Sequence, residues 1–364
     1  MRDDMNSRER IDRLLHLEEA DHVGFRDGIW GTTIEKWETQ GFPKGTFIEG
    51  HFGMDLFGIG VDTSPKYDEM TFEKGDGYVI SRDRYGVKQK RWTGSHDGIP
   101  LHIDPPFTNL EEFEERIEPL LDPDYPIRIS SPSYPFRHEI EEMYRKFQED
   151  FYVYAGFYGT FEYTRHICGG TKKALRHMMV DHKLTKRMYK VLARFFGAIS
   201  SAMCDAGADC AWVFDDLGFA DGPFFSPENY RKYVKPSHEA ITKPFRKKGL
   251  PALLHTDGNV NLLIPDILDA GFTGLHPLEV NAGMDVIELK EKYGDKLAFI
   301  GNIDKSVLHT NDIARIEKEV IPKIKVAMQG GGYVLCSDHS ISPQVDLDTF
   351  TAFSKMGIKY GSYS

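Results

Sequence analysis

The chain has 364 residues, too many for a small domain and enough for one large α/β barrel with an extension or for two ordinary domains. Its 45 basic residues against 56 acidic ones, net -11, argue against nucleic acid or an anionic membrane as the main partner. The opening Met1-Arg2-Asp3-Asp4-Met5 lacks the apolar run of a signal peptide, no stretch has the length of a membrane span, and Cys168, Cys204, Cys210 and Cys336 show no CxxC spacing, which predicts a cytoplasmic protein with free thiols.

In chain order, short apolar runs at 23–25 and 55–59 read as two strands. Segment 75–93, with Tyr78, Val79, Ile80 and Val87 flanking Asp83-Arg84-Tyr85-Gly86, reads as an inserted β-hairpin. Helices are predicted over 110–121 and 136–151. From Phe151 onward, strands at 152–155, 211–214, 251–254, 273–275, 297–300 and 333–335 alternate with amphipathic patterns. Leu184, Met188, Val191, Leu192, Phe195 and Ile199 keep helical spacing, as do Ile313, Ile316, Val320, Ile321, Ile324 and Met328. Ser226-Pro227-Glu228 is a helix start with its cap and first-turn proline, while Gly294 and Gly330-Gly331-Gly332 suit helix ends and tight turns. Eight strands in this alternation predict an α/β fold, a TIM (β/α)8 barrel with an elaborated N-terminal half. With no repeat and no low-complexity linker, one domain is expected over 1–364: extension, insertion and first strands over 1–150, main βα repeats over 151–364.

In such a barrel, chemistry sits at the carboxyl ends of the strands. His255 and Asp257 follow one strand and His339 another, so three ligand or acid/base groups can converge from distant parts of the chain. Residues i and i+2 of an extended strand end point the same way, which lets His255 and Asp257 face one ion. Asp257 also reads as a plain helix cap accepting hydrogen bonds from the next turn, and a loop histidine such as His339 is often structural. Cys336, Ser337 and Asp338 crowd the His339 strand end. Asp215 and Asp216 end the strand at 211–214, and adjacent residues point to opposite sides, so at most one faces a pocket. Glu279 closes His276-Pro277-Leu278-Glu279, with metal ligation, acid chemistry and a simple salt bridge all open to it. Asn302, in Gly301-Asn302-Ile303-Asp304, lies on the same rim but also suits a tight turn. Phe157, Tyr158, Phe161, Tyr163, Phe214, Phe219, Phe224 and Phe225 fall around loops. Most aromatics are core, but those beside strand ends suit a flat apolar pocket.

Phe157-Tyr158-Gly159-Thr160, Asp215-Asp216, Ser226-Pro227-Glu228, His255-Thr256-Asp257-Gly258-Asn259, His276-Pro277-Leu278-Glu279, Gly301-Asn302-Ile303-Asp304 and Asp338-His339-Ser340-Ile341 resemble, in order, the uroporphyrinogen decarboxylase superfamily. Ser7-Arg8-Glu9-Arg10-Ile11 with Asp21-His22-Val23 looks like that superfamily's start. The resemblance implies one TIM-type barrel and two possible chemistries: cofactor-free decarboxylation of a porphyrinogen, or zinc-dependent methyl transfer to or from a corrinoid protein. The decarboxylase branch carries an arginine-rich segment reading R-Q-A-G-R-Y. Here Phe25-Arg26-Asp27-Gly28-Ile29-Trp30 stands in its place, a poor cradle for a many-carboxylate substrate. The branch resembling methylcobamide:coenzyme M methyltransferases binds zinc through H-x-C and a later cysteine. Its histidine falls on His255, its first cysteine on Asp257 and its second on His339, with Cys336 three residues too early.

The expectation is therefore a corrinoid-dependent methyltransferase acting on a small substrate, with a methoxylated aromatic as the candidate. Zinc on His255, Asp257 and His339, with Glu279 and Asp215 in further catalytic roles, would act as Lewis acid; Phe157, Tyr158, Asp216, Phe219 and Asn302 would bind substrate. The cobalamin would come from a separate corrinoid protein, and a homodimer is possible. A metal-free decarboxylase on a smaller carboxylated substrate, using Asp215 or Asp216 and His339, is the alternative. A non-catalytic binding protein on the same scaffold is the third reading.

Overall fold

The structure, a computed structural model, describes residues 5–93, 100–123 and 137–363. Eight strands form its central sheet: β1 (Gly24–Phe25), β2 (Leu56–Gly60), β3 (Tyr152–Tyr158), β4 (Cys210–Phe214), β5 (Ala252–His255), β6 (Gly274–His276), β7 (Ala298–Ile303) and β8 (Tyr333–Ser337). Their order is β1-β8-β7-β6-β5-β4-β3-β2, with each neighbouring pair parallel. The sheet thus runs round in chain order, as a (β/α) barrel requires. Each of the eight strands lies within three residues of its predicted bounds.

β1 and β2 close the ring without a ladder. Asp55 N donates to Phe25 O and Phe25 N donates to the Asp55 carboxylate, both at 2.8 Å. The other Asp55 oxygen accepts from Arg10 at 2.7 Å, and Arg10 also forks onto Asp21 at 2.7 Å. Arg10 comes from α1 (Ser7–Leu15), capped by Asn6, whose side chain accepts from Glu9 N. The apolar face of α1, Ile11, Leu14 and Leu15, packs with Leu56, Tyr152, Cys210, Leu253 and Val334 and plugs the strands' N-terminal ends.

Period-two alternation then sorts the strands. Tyr152 and Tyr154, Cys210 and Trp212, Leu253, Ala298 and Ile300, Val334 and Cys336 pack together inside the barrel. Val153, Ala155, Val213, Leu254, Leu275, Phe299 and Leu335 face the surrounding helices. The longest helix, His182–Asp205, packs on Lys235–Lys247.

The predicted hairpin is the centre of a four-stranded antiparallel sheet, Met70–Gly75, Tyr78–Arg82, Lys88–Trp92 and Leu101–Asp104. Its outer strands escaped the sequence reading because each is short and largely exposed, with little apolar alternation. The turn docks on the helix Thr160–Ile167, where Asp83 pairs with His166 at 2.8 Å and the Tyr85 ring lies 4.5 Å from that imidazole. The helices predicted over 110–121 and 136–151 are Leu110–Arg116 followed by a 3-10 turn, and Arg137–Phe147; position 136 lies outside the described residues. Among the described residues no helix is long and apolar enough to cross a membrane.

Candidate functional site

The barrel's register places the site. His255 ends β5 opposite Phe214 of β4 and His276 of β6. All three side chains therefore stand on the interior face, and the chain then turns at Gly258, whose φ is +81°. A Cβ there would lie 2.4 Å from the Gly218 backbone, so glycine alone fits. One residue beyond His255, Thr256 binds Leu217 N from below, and Asp257 comes back over the mouth. Asp216, just past β4, reaches the same point. Its Oδ1 accepts from Asp257 N at 3.1 Å and its Oδ2 from Arg165 at 3.1 Å.

Asp216, His255 and Asp257 each offer one donor atom, all within 4.8 Å of one another. His255 Nε2 stands 3.6 Å from Asp216 Oδ1 and 3.8 Å from Asp257 Oδ1, too far for hydrogen bonds. Asp257 Oδ1 is buried with no hydrogen-bond partner. An orphaned buried carboxylate oxygen is costly unless a cation or proton meets it. Burial pushes the Asp257 carboxyl up to about 7, with the Asp216 charge adding to it, and burial pushes His255 down. Ligands on a tetrahedral zinc with bonds of about 2.0–2.1 Å stand about 3.3 Å apart. His255 Nε2 stands only a few tenths of an ångström beyond that spacing from each carboxylate, and all three donors lie within 4.8 Å of one another, so two carboxylates and one imidazole can gather round a zinc ion with a position left open.

Two cavities meet at His255. The larger, about 590 Å³, has aromatic walls of Tyr85, Tyr154, Tyr158 and Phe214, with Asp62, Arg84 and Glu162 among its polar groups. Gly58 makes room for the Tyr154 ring, which a Cβ would meet at 2.4 Å. Burial raises the Glu162 carboxyl to about 7, against the opposing pull of Arg165, its ion-pair partner. The smaller cavity, about 220 Å³, is lined by Arg26, His276, Cys336 and His339 together with His255 and Asp257. Arg26 lies inside the barrel with its guanidinium 4.5 Å from the Trp212 ring centre. It donates to Tyr154 Oη at 3.0 Å and pairs with no carboxylate among the described residues.

The predicted residues divide. His255, Asp257 and Asp216 come together as the cluster of close donor atoms, and His339 stands outside that cluster. His339 lines the smaller cavity, its ring 5.9 Å from Trp30 and edge-on to it. Asp215 faces away from both cavities. It is fully buried and accepts from Phe161 N, Glu162 N and His238 Nε2 at 3.3, 2.6 and 2.8 Å, so it ties β4 to the helices Thr160–Ile167 and Lys235–Lys247. Asn302 is also fully buried, at φ +74°, and its side chain binds Leu278 O, Met284 O and Val286 N, leaving nothing for a substrate. Glu279 accepts from Gly258 N at 3.1 Å and pairs with Lys305 at 3.6 Å, supporting the Asp257 turn from outside. Tyr158 and Phe157 border the larger cavity, though Phe157 is buried against Phe196. Phe219 is exposed against Phe224 and lines neither cavity. Asp257 does not cap the next helix; Asn259 accepts from Asn261 N instead. Sequence reasoning noticed Cys336 at its strand end but gave it no partner, and it gave Arg26, Tyr154 and His276 no place in the site. The available signal was strand parity, since 154, 212, 276 and 336 share the interior face.

The chain matches the family model described as Uroporphyrinogen decarboxylase (URO-D) over residues 93–360. It is 29% identical over 191 residues to "Uroporphyrinogen decarboxylase" of Hydrogenovibrio crunogenus, covering 51% of this chain and 52% of that protein. It is 31% identical over 156 residues to "Methylcobamide:CoM methyltransferase MtaA" of Methanosarcina barkeri, 43% of each. The chain thus spans about half the length of the curated relatives it matches. A solved methyltransferase from Methanosarcina mazei superposes with a TM-score of 0.67 at 18% identity, covering 98% of this chain and 99% of that one, a likeness of fold.

Proposed function

The chain belongs to the uroporphyrinogen decarboxylase family, and from that premise we propose that it is a zinc-dependent methyltransferase. It moves a methyl group between a small substrate and a corrinoid carried by a separate protein. The observation that carries this reading is the Asp216, His255 and Asp257 set, open at the junction of two cavities. The methyltransferase name of the Methanosarcina barkeri relative supports it. When bound, zinc supplies a Lewis acid that draws electron density from a substrate oxygen and eases its departure from the methyl carbon. With an oxygen-rich ligand set in place of cysteines, the site favours oxygen over a thiol. A methoxylated aromatic is the substrate class that the walls of Tyr85, Tyr154, Tyr158 and Phe214 suit.

The protein's own groups hold the geometry. Arg165 fixes the second Asp216 oxygen, Glu279 pins the Gly258 turn, and His339 faces the smaller cavity as proton donor to the released oxygen. The test is zinc content and methyl transfer from methoxylated aromatics to a reduced corrinoid protein. Asp216→Ala, His255→Ala and Asp257→Ala should each lose zinc and activity. His339→Ala should keep zinc and lose turnover. Full activity after chelation overturns the reading.

One observation favours a second reading. Arg26 is a cation inside the barrel with no carboxylate partner among the described residues, and a substrate carboxylate would pair with it. A decarboxylase of that kind works without metal and without a partner protein, so chelation separates the two.

A further inference from the structure

His255 is tied to a second histidine and, through it, to a thiol. His255 Nδ1 and His276 Nδ1 are 2.7 Å apart, and His276 Nε2 is 3.6 Å from Cys336 Sγ. The two ring centres are 4.9 Å apart, and the Trp212 ring stands nearly perpendicular to His276 with its centre 5.1 Å away. β5 and β6 pair these histidines in register, so the contact is built into the barrel rather than into a loop. His276 and Cys336 are buried, and neither takes part in the chemistry proposed above.

A neutral imidazole has one N–H donor and one acceptor nitrogen, so two facing Nδ1 atoms share a single hydrogen. That leaves two arrangements of the chain. In one, His255 Nδ1–H donates to His276, His276 Nε2–H points at Cys336 Sγ, and His255 Nε2 presents its lone pair to Asp216 and Asp257. In the other, the Cys336 thiol donates to His276 Nε2, His276 Nδ1–H donates to His255, and His255 Nε2–H faces the two carboxylates. Each ring carries one hydrogen in both, and the thiol keeps its own.

We propose that His255, His276 and Cys336 form one hydrogen-bond chain whose direction is set by the metal, His276 being the positioning residue that turns the lone pair of His255 toward the ion. The inference rests on the metal-site reading above. Outer partners of ligating histidines typically change metal affinity 10–100-fold.

The experiment combines zinc affinity, by competition with a chromophoric chelator, with long-range ¹H–¹⁵N correlation of histidine tautomers in the full chain with and without zinc. His276→Asn retains an acceptor near the place of Nδ1 and should bind zinc within about threefold of wild type. His276→Leu removes it and should bind about 10–100-fold more weakly. In the wild type, zinc should move the His276 hydrogen from Nδ1 to Nε2. Equal zinc affinity in wild type and His276→Leu, or an unchanged His276 tautomer in the zinc-bound wild type, overturns the inference alone. A wild type that binds no zinc overturns the metal-site reading and this inference with it. The tautomer measurement on wild type stands even where a variant fails to fold.

Discussion

Replacing Asp55 with alanine should open the barrel seam. Asp55 is 3% exposed, and its carboxylate ties the seam between β1 and β2 to α1: one oxygen takes Phe25 N at 2.8 Å, the other Arg10 at 2.7 Å. Removing one partner of a buried ion pair costs about 3–5 kcal/mol. Arg10 keeps its fork onto Asp21, so the lower end, about 3 kcal/mol, applies here. The Phe25 amide is left without that acceptor, adding about 1–2 kcal/mol. The sum, about 4–5 kcal/mol, is a large share of the roughly 5–15 kcal/mol that holds a folded domain. Asp55→Asn keeps an oxygen for Phe25 N and loses the charge facing Arg10, so about 2 kcal/mol is expected. Urea unfolding reads this directly: with a slope of about 3 kcal/mol per molar, the Asp55→Ala midpoint should fall by about 1.5 M. Hydrogen exchange at Phe25 N should accelerate at the seam before it does so in β4 and β5. A midpoint shift below about 0.3 M, or exchange at Phe25 no faster than in wild type, would show that the seam does not depend on this side chain.

Gly258→Ala should weaken zinc binding, because φ of +81° and a 2.4 Å approach to Gly218 force the Asp257 turn to move; isothermal titration with zinc measures it. Asp215→Ala should lower stability by about 3–5 kcal/mol, by unpairing His238 and two amides, while the zinc stoichiometry of the folded fraction stays at the wild-type value. Docking of the inserted sheet should be acid-sensitive. Burial raises the Asp83 carboxyl, but His166 and the amides of Val87 and Tyr85 overcome it and hold it below its ordinary 3.8. A carboxyl with a depressed folded value stabilises above its unfolded value, and that stabilisation is lost as pH falls through the folded one. Exchange of the Tyr85 and Val87 amides, corrected for intrinsic rate, should therefore accelerate below pH 3.8 in wild type and lose this pH dependence in Asp83→Asn.

The positions of all eight strands were legible along the chain, because buried parallel strands are continuous apolar runs and the intervening helices keep a 3.6-residue period. His255 and Asp257 were legible for the same reason, since a strand end is where a barrel presents side chains to its mouth. The choice between Asp215 and Asp216 was not. Both lie past the end of β4, and the sequence alone did not say which strand face is the interior; the hydrogen bonds of Asp215 to Phe161 N, Glu162 N and His238 settle which one turns outward. His339 was expected beside His255 from its place after β8. It does line the smaller cavity with His255 and Asp257, but the Asp338 carboxylate binds Val280 N and Lys305 N and the imidazole packs against Trp30, outside the cluster of three donors. Arg26, Tyr154, His276 and Cys336 meet only after the sheet closes. Strand alternation can say that each side chain points inward, but which inward side chains touch depends on stagger and curvature, and these arise from the packing of the whole ring.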